Sequence, residues 1–102
     1  MAQANVLNIV RQYADVVSSA FGEAKFFLFG SYAKGSQRQD SDIDIAVVLK
    51  DYNNRFDMQF ELMKLRRNID FRIEPHPFRE RDFEQTDPLV NEILKYGQEI
   101  TY

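Results

Sequence analysis

Gly30-Ser31 is followed, ten residues later, by Asp42-Ile43-Asp44, and a further aspartate, Asp70, lies in an apolar run downstream. Each part has its own chemistry. Glycine lets the backbone come close to a ligand. N–H groups exposed at a helix start attract phosphate, and the Ser31 hydroxyl adds a donor. Lys34 and Arg38 lie in the polar stretch between and are candidates to neutralise phosphate charge, although solvated surface cations are equally ordinary. Asp42 and Asp44 share one face of a strand, because strand side chains alternate. Two anions about 7 Å apart along a strand repel each other unless a divalent cation bridges them. Mg²⁺ binds through one or two carboxylates plus substrate phosphates. If Asp70 stands on a neighbouring strand about 4.8 Å away, three carboxylates converge. Such a cluster suits two ions, one on the attacking oxygen and one on the leaving oxygens. Asp40 reads as a turn residue.

Competing motifs do not fit. A P-loop needs Gly-x₄-Gly-Lys-Ser/Thr, but Gly35 is followed by Ser36-Gln37. An EF-hand beginning at Asp40 needs glycine at its sixth position, where this chain has Ile45 in an Ile/Val run. No Gly-x-Gly-x-x-Gly is present. Arg72-Ile-Glu-Pro-His76 is too thin for a nuclease site. His76, the one histidine, sits between prolines and reads as structural or surface. Phe26, Phe27 and Phe29 read as core, not as a stacking platform.

The elements that must hold these residues follow from periodicity. Val6, Val10, Val17 and Phe21 predict a helix over Gln3–Ala20, ending near Gly22. Ala24–Phe29 is a short apolar strand ending at Gly30. A helical turn is expected from Ser31, and a second strand over Asp42–Leu49. Phe56, Phe60 and Met63, four and three apart, predict a helix over Arg55–Arg67. Ile69–Glu74 is a third strand, ended by Pro75 and Pro77. Asp87-Pro88 is an N-cap and first helical position, and Gly97 the matching stop. Gln98–Tyr102 forms a last extended segment. Two strands joined by about a dozen residues imply a mixed sheet, so the fold class is α/β (α+β), a small mixed sheet flanked by helices.

Composition bounds the rest. Residues 1–102 read as a single domain, and a chain of this length buries roughly 65% of its unfolded surface. Hydrophobic residues make up 44%, with nine Phe, which is enough for a core. There is no cysteine, which excludes disulfides and thiolate zinc sites and suits a reducing compartment. No signal peptide or spanning segment is expected, so a cytoplasmic location is the simple reading. The net charge is −3 with dispersed Lys and Arg. That argues against direct nucleic-acid binding through phosphate neutralisation.

The stretch GSYAKGSQRQDSDIDIAVVL, with Asp70 downstream, resembles the signature of the DNA polymerase β-like nucleotidyltransferases, in particular their minimal (MNT) members. Lys34 departs from the arginine common there, which keeps charge but loses fork-like phosphate contacts. The resemblance implies Mg²⁺, with two ions, and ATP as donor. It implies that Asp42, Asp44 and Asp70 hold metal, with Asp70 helping to deprotonate the incoming hydroxyl. It implies that Gly30 and Ser31 grip the β- and γ-phosphates. It further implies an antitoxin that transfers AMP to a tyrosine of a HEPN-domain toxin partner. Two readings compete: a non-catalytic antitoxin that neutralises its partner by contact, and sugar transfer, for which the chain is too short to hold a typical nucleotide-sugar domain.

Overall fold

The computed structural model describes residues 4–38 and 40–102. Helix α1 spans Ala4–Phe21, strand β1 Lys25–Phe29, helix α2 Ser31–Lys34 and strand β2 Ile43–Leu49. Helix α3 spans Arg55–Leu65, strand β3 Ile73–Arg79, helix α4 Pro88–Tyr96 and strand β4 Gln98–Glu99, with a single 3₁₀ turn at Glu80–Asp82. The expected helix start at Gln3 lies outside the described residues. The strands form one sheet in the order β3-β2-β1-β4. β2 pairs parallel with β3 and antiparallel with β1, which also pairs antiparallel with β4. The sheet is therefore mixed, as the short β1–β2 connection requires.

Two cores follow from the alternation of β2. Ile43, Ile45, Val47 and Leu49 pack with Val6, Val10, Tyr13, Ala14 and Val17 of α1 and Leu62 of α3. Ala46 and Val48 face the other way, onto Phe27, Phe29, Phe78 and the α4 residues Val90 and Ile93. β2 is thus covered on both sides and nearly all apolar, with Asp44 its one polar residue. α4 starts as expected: the Asp87 carboxylate accepts from the Leu89 N–H at 2.9 Å, with proline at the first helical position. Gly97 does end it, but in an extended conformation with φ −76°. Glycine is needed there because a Cβ would meet the Ile93 carbonyl oxygen at 2.5 Å.

The third strand differs from expectation. It begins at Ile73 and runs through both prolines to Arg79, while Asp70 lies in the turn that precedes it. β3 is a sheet edge. Its odd-numbered backbone groups point away from β2: Gln59 Nε2 donates to the Pro75 carbonyl at 2.7 Å and the Tyr52 hydroxyl to that of Pro77 at 3.3 Å. The N–H that each proline lacks would have faced the edge, so no ladder bond is lost. α3 also differs in its orientation. Phe56 and Phe60 are 87% and 61% exposed, while Leu62, Met58 and Leu65 turn inward.

Tyr13 ties α1 to α3. Its hydroxyl donates to the Leu62 carbonyl at 2.6 Å, one of the last-turn carbonyls that a helix cannot satisfy itself. Tyr13→Phe is expected to cost about 1–2 kcal/mol and to lower the melting temperature by about 5–10 °C. Burial pushes the Tyr13 phenol well above the usual tyrosine range, with Arg66 partly opposing. The folded state therefore favours the protonated ring. This stability is complete below the ordinary tyrosine value near 10 and falls as pH rises above it, by up to about 1.4 kcal/mol per pH unit. Denaturant titrations from pH 9 to 11 should show that decline flattened in Tyr13→Phe. An unchanged slope would remove Tyr13 as its source.

Candidate active site

The chain leaves β1 at Gly30, which adopts φ 75°, ψ −148° and opens α2. Lys34 N–H donates to the Gly30 carbonyl at 3.1 Å, which closes the first turn. The N–H groups ahead of it have no partner within the helix, so the start of α2 presents donors at the turn. Gly35, at φ 77°, ψ 15°, ends the helix in a left-handed cap.

The acidic strand meets this turn directly. Phe29 of β1, Asp44 of β2 and Glu74 of β3 stand side by side in register. Neighbours in register share a face, so Asp44 and Glu74 lie on the α4 side of the sheet. Asp42 lies just ahead of β2 and is exposed. A Cβ built on Gly30 would lie 2.5 Å from Asp44 Oδ2. The carboxylate therefore occupies the space that any other side chain at position 30 would need. Asp44 Oδ1 sits 3.1 Å from His76 Nε2, and the His76 ring meets Phe29 edge-on at 5.0 Å between centroids.

Asp70 is held by Arg72. Its Oδ1 accepts from the Arg72 backbone N–H at 2.8 Å and from Arg72 Nε at 3.1 Å, and its Oδ2 from Nη2 at 2.8 Å. The Arg72 side-chain hydrogen bond holds the Asp70 carboxyl below the usual carboxylate range, against the opposing effect of burial. Arg72 Nη1 also donates to the Tyr32 hydroxyl on α2 at 3.0 Å. The Arg72 carbonyl accepts from Ile43 N–H at 2.7 Å, which sets Arg72 alongside Asp42. Lys34 leans toward α4, 3.3 Å from Glu92 Oε1 and 5.6 Å from the Tyr96 ring centroid. Arg38 is exposed, its backbone N–H donating to Ser41 Oγ at 2.7 Å.

The structure thus sets Gly30 against Asp44, with Ser31 and Asp42 next to them along the chain. It ties Asp70 to Arg72 and adds Glu74 and His76, which sequence reasoning missed. A signal for both existed. In Ile73-Glu74-Pro75-His76-Pro77-Phe78 the polar residues alternate with buried ones, which is the strand period.

Among the described residues no three Asp, Glu or His side chains close on one point to make a metal cage. The donors at hand are hard carboxylate oxygens in a pair. That fits the mode in which Mg²⁺ takes one or two carboxylates and completes its shell with phosphate and water. The acidic face is open. A cavity of about 280 Å³ lies at the far end of β2, lined by Phe21, Leu49, Lys50 and Asp51, and gathers none of these groups.

A mixed sheet that sets a glycine-serine turn against an Asp-x-Asp strand defines a nucleotidyl-transferring fold. The family model described as Nucleotidyltransferase domain matches residues 10–100, and the chain belongs to that family. MJ1379 of Methanocaldococcus jannaschii, provisionally named a protein adenylyltransferase, is 35% identical over 48 residues, 47% of this chain and 48% of that protein. The chain thus matches about half the length of this curated relative. A provisionally assigned nucleotidyltransferase from Sulfolobus solfataricus superposes with a TM-score of 0.65 at 25% identity, covering 82% of this chain and 73% of that one. The crystal structure of a toxin–antitoxin with AMP-PNP superposes with a TM-score of 0.67 at 25% identity, over 91% of this chain and 70% of that one. Among the described residues no helix is long and apolar enough to cross a membrane.

Proposed function

We propose that this chain moves AMP from ATP onto a hydroxyl of a partner protein, as the antitoxin of a toxin–antitoxin pair. The tyrosine of a HEPN-type toxin is the acceptor we favour. The observation that carries the reading is the contact of Asp44 with Gly30: phosphate turn and acidic strand form one site. Kinship with a protein named for adenylyl transfer and likeness to a toxin–antitoxin with AMP-PNP support the donor and the partner class.

In this reading the triphosphate lies on the start of α2, with Gly30 and Ser31 at its β- and γ-phosphates. Lys34 and Arg38 contribute charge. Asp42 and Asp44 would hold Mg²⁺, which when bound neutralises phosphate charge and orients the attacking oxygen. The acceptor oxygen forms a bond to the α-phosphorus, and the bond from that phosphorus to the pyrophosphate oxygen breaks. The hydroxyl proton passes to a carboxylate. Asp70 is our candidate for that role and for the third metal-holding position. It can serve only after Arg72 releases it, and an arriving triphosphate competes for the same guanidinium. Positioning and electrostatics supply the rate.

The test incubates the protein with ATP, Mg²⁺ and the product of the adjacent gene, and reads the acceptor by mass spectrometry. A gain of one or more AMP masses on a tyrosine is expected. No added nucleotide on the acceptor, with ATP and Mg²⁺ saturating, would overturn the reading. Asp70→Asn is expected to slow transfer at least about 10²-fold, and Glu74→Gln less than about threefold. The reverse order would move the third carboxylate to Glu74.

A further inference from the structure

Among the described residues, nothing covers the outer face of α3, where Phe56 and Phe60 are exposed. Phe56, Phe60 and Met63 are spaced 4 and 3 apart on α3, the spacing at which one helix offers a seam to another, and Arg67 follows in the turn after it. Phe56 is 87% exposed and Phe60 61%. Phe71, 70% exposed, closes the far end of a groove of about 310 Å³ that also holds Phe60, Met63, Lys64, Arg66 and Arg67. Three large exposed aromatics in one strip exceed the scattered apolar surface of a monomer.

Charge says what covers it. Residues 55–67 carry Arg55, Lys64, Arg66 and Arg67 against Asp57 and Glu61, in a chain whose net charge is −3. Lys64 Nζ stands 5.0 Å from the Phe60 ring centroid and the Arg66 guanidinium 5.9 Å from that of Phe71, so cations rim the aromatics. A second copy of this chain would set cations against cations. A helix with aliphatic residues along its seam and carboxylates beside them complements both features.

We infer that the groove of Phe60, Met63 and Phe71, together with Phe56 one turn back on α3, is the docking surface for an acidic amphipathic helix of the partner protein. This rests on the reading of the chain as acting on a protein partner, and it names where that partner sits. Phe71 lies between Asp70 and Arg72, so the groove runs into the turn that borders the acidic row. A partner held there is tethered beside the site, which raises the local concentration of its acceptor hydroxyl.

The test titrates the ¹⁵N-labelled chain with two synthetic helical peptides that share a leucine seam, one flanked by Glu and one by Lys. The Glu-flanked peptide should bind saturably, with amide shifts confined to residues 55–72. Phe56→Ser with Phe60→Ser should weaken it at least about tenfold, the loss of one strong anchor, at an unchanged melting temperature because both rings are exposed. Lys64→Glu with Arg67→Glu should switch preference to the Lys-flanked peptide. The Asp42→Asn, Asp44→Asn double variant should bind like the parent, which separates docking from catalysis. Four results would each overturn the assignment. They are no saturable binding of the Glu-flanked peptide at millimolar concentration, equal binding of both peptides, the same shifts produced by an oligo(dT) probe, or the same shifts produced by raising protein concentration alone.

Discussion

Asp42→Asn combined with Asp44→Asn should abolish nucleotidyl transfer while leaving the fold as stable as before, or more so. Asp42 lies just ahead of β2, two residues from Asp44, which is the one polar residue of an otherwise apolar strand. Their mutual repulsion opposes folding and is tolerated only where function requires it. Asn keeps the shape and can still accept a hydrogen bond from His76, so packing around Phe29 and Ala46 persists. What goes is the negative charge that would hold Mg²⁺ against the triphosphate. A loss of at least about 10³-fold in rate is the scale for removing such a preorganised group. The melting temperature should be unchanged or a few degrees higher. Rates from pyrophosphate release, with thermal denaturation on the same samples, check both halves. Transfer at parental rate would remove the acidic pair from the mechanism. The variant also decides between catalysis and contact. If it still silences the partner in cells while transferring nothing, neutralisation is by binding.

Much of this site was legible in the sequence because it depends on local geometry. A glycine between a strand and a helical turn, and an aspartate in an otherwise apolar strand, each fix their own orientation. The α1, β1, β2 and α4 boundaries follow from apolar period and capping chemistry in the same way, and the structure moves them by a residue or two. What was not legible depends on neighbours. Whether Pro75 and Pro77 end a strand or line its edge turns on which side β2 pairs, and that is a property of the sheet. Asp70 looked like a strand residue among apolar ones. Arg72, two residues on, curls back onto it and makes a turn instead. Glu74 and His76 entered the acidic row only once β3 was shifted to begin at Ile73. The stripe of Phe56, Phe60 and Met63 correctly signalled a helix. Spacing alone does not say whether a stripe faces a core or a partner.

Replacing Gly30 with alanine should cost both stability and activity, for two separable reasons. The first is the backbone. At φ 75°, ψ −148° the residue occupies a region that is essentially glycine's alone. Alanine there costs about 1–3 kcal/mol, or a fall in melting temperature of at least about 5 °C. The second is space. The new Cβ would stand 2.5 Å from Asp44 Oδ2, and that carboxylate must swing away from both the turn and His76. The oxygen proposed to hold metal is then displaced from the donors proposed to hold phosphate, and misplacement of about 1 Å can cost 10²-fold in rate. Gly35 separates the two causes. It too has positive φ, at 77° with ψ 15°, but a Cβ there meets nothing within 4 Å. Gly35→Ala should cost about 1–2 kcal/mol of stability with transfer rates within about threefold of the parent. Gly30→Ala should lose at least about 10²-fold in transfer even at temperatures where it is fully folded. Equal activity losses in the two variants would mean that α2 matters only as a cap. Parental activity in Gly30→Ala would break the coupling between turn and acidic strand on which the catalytic reading depends.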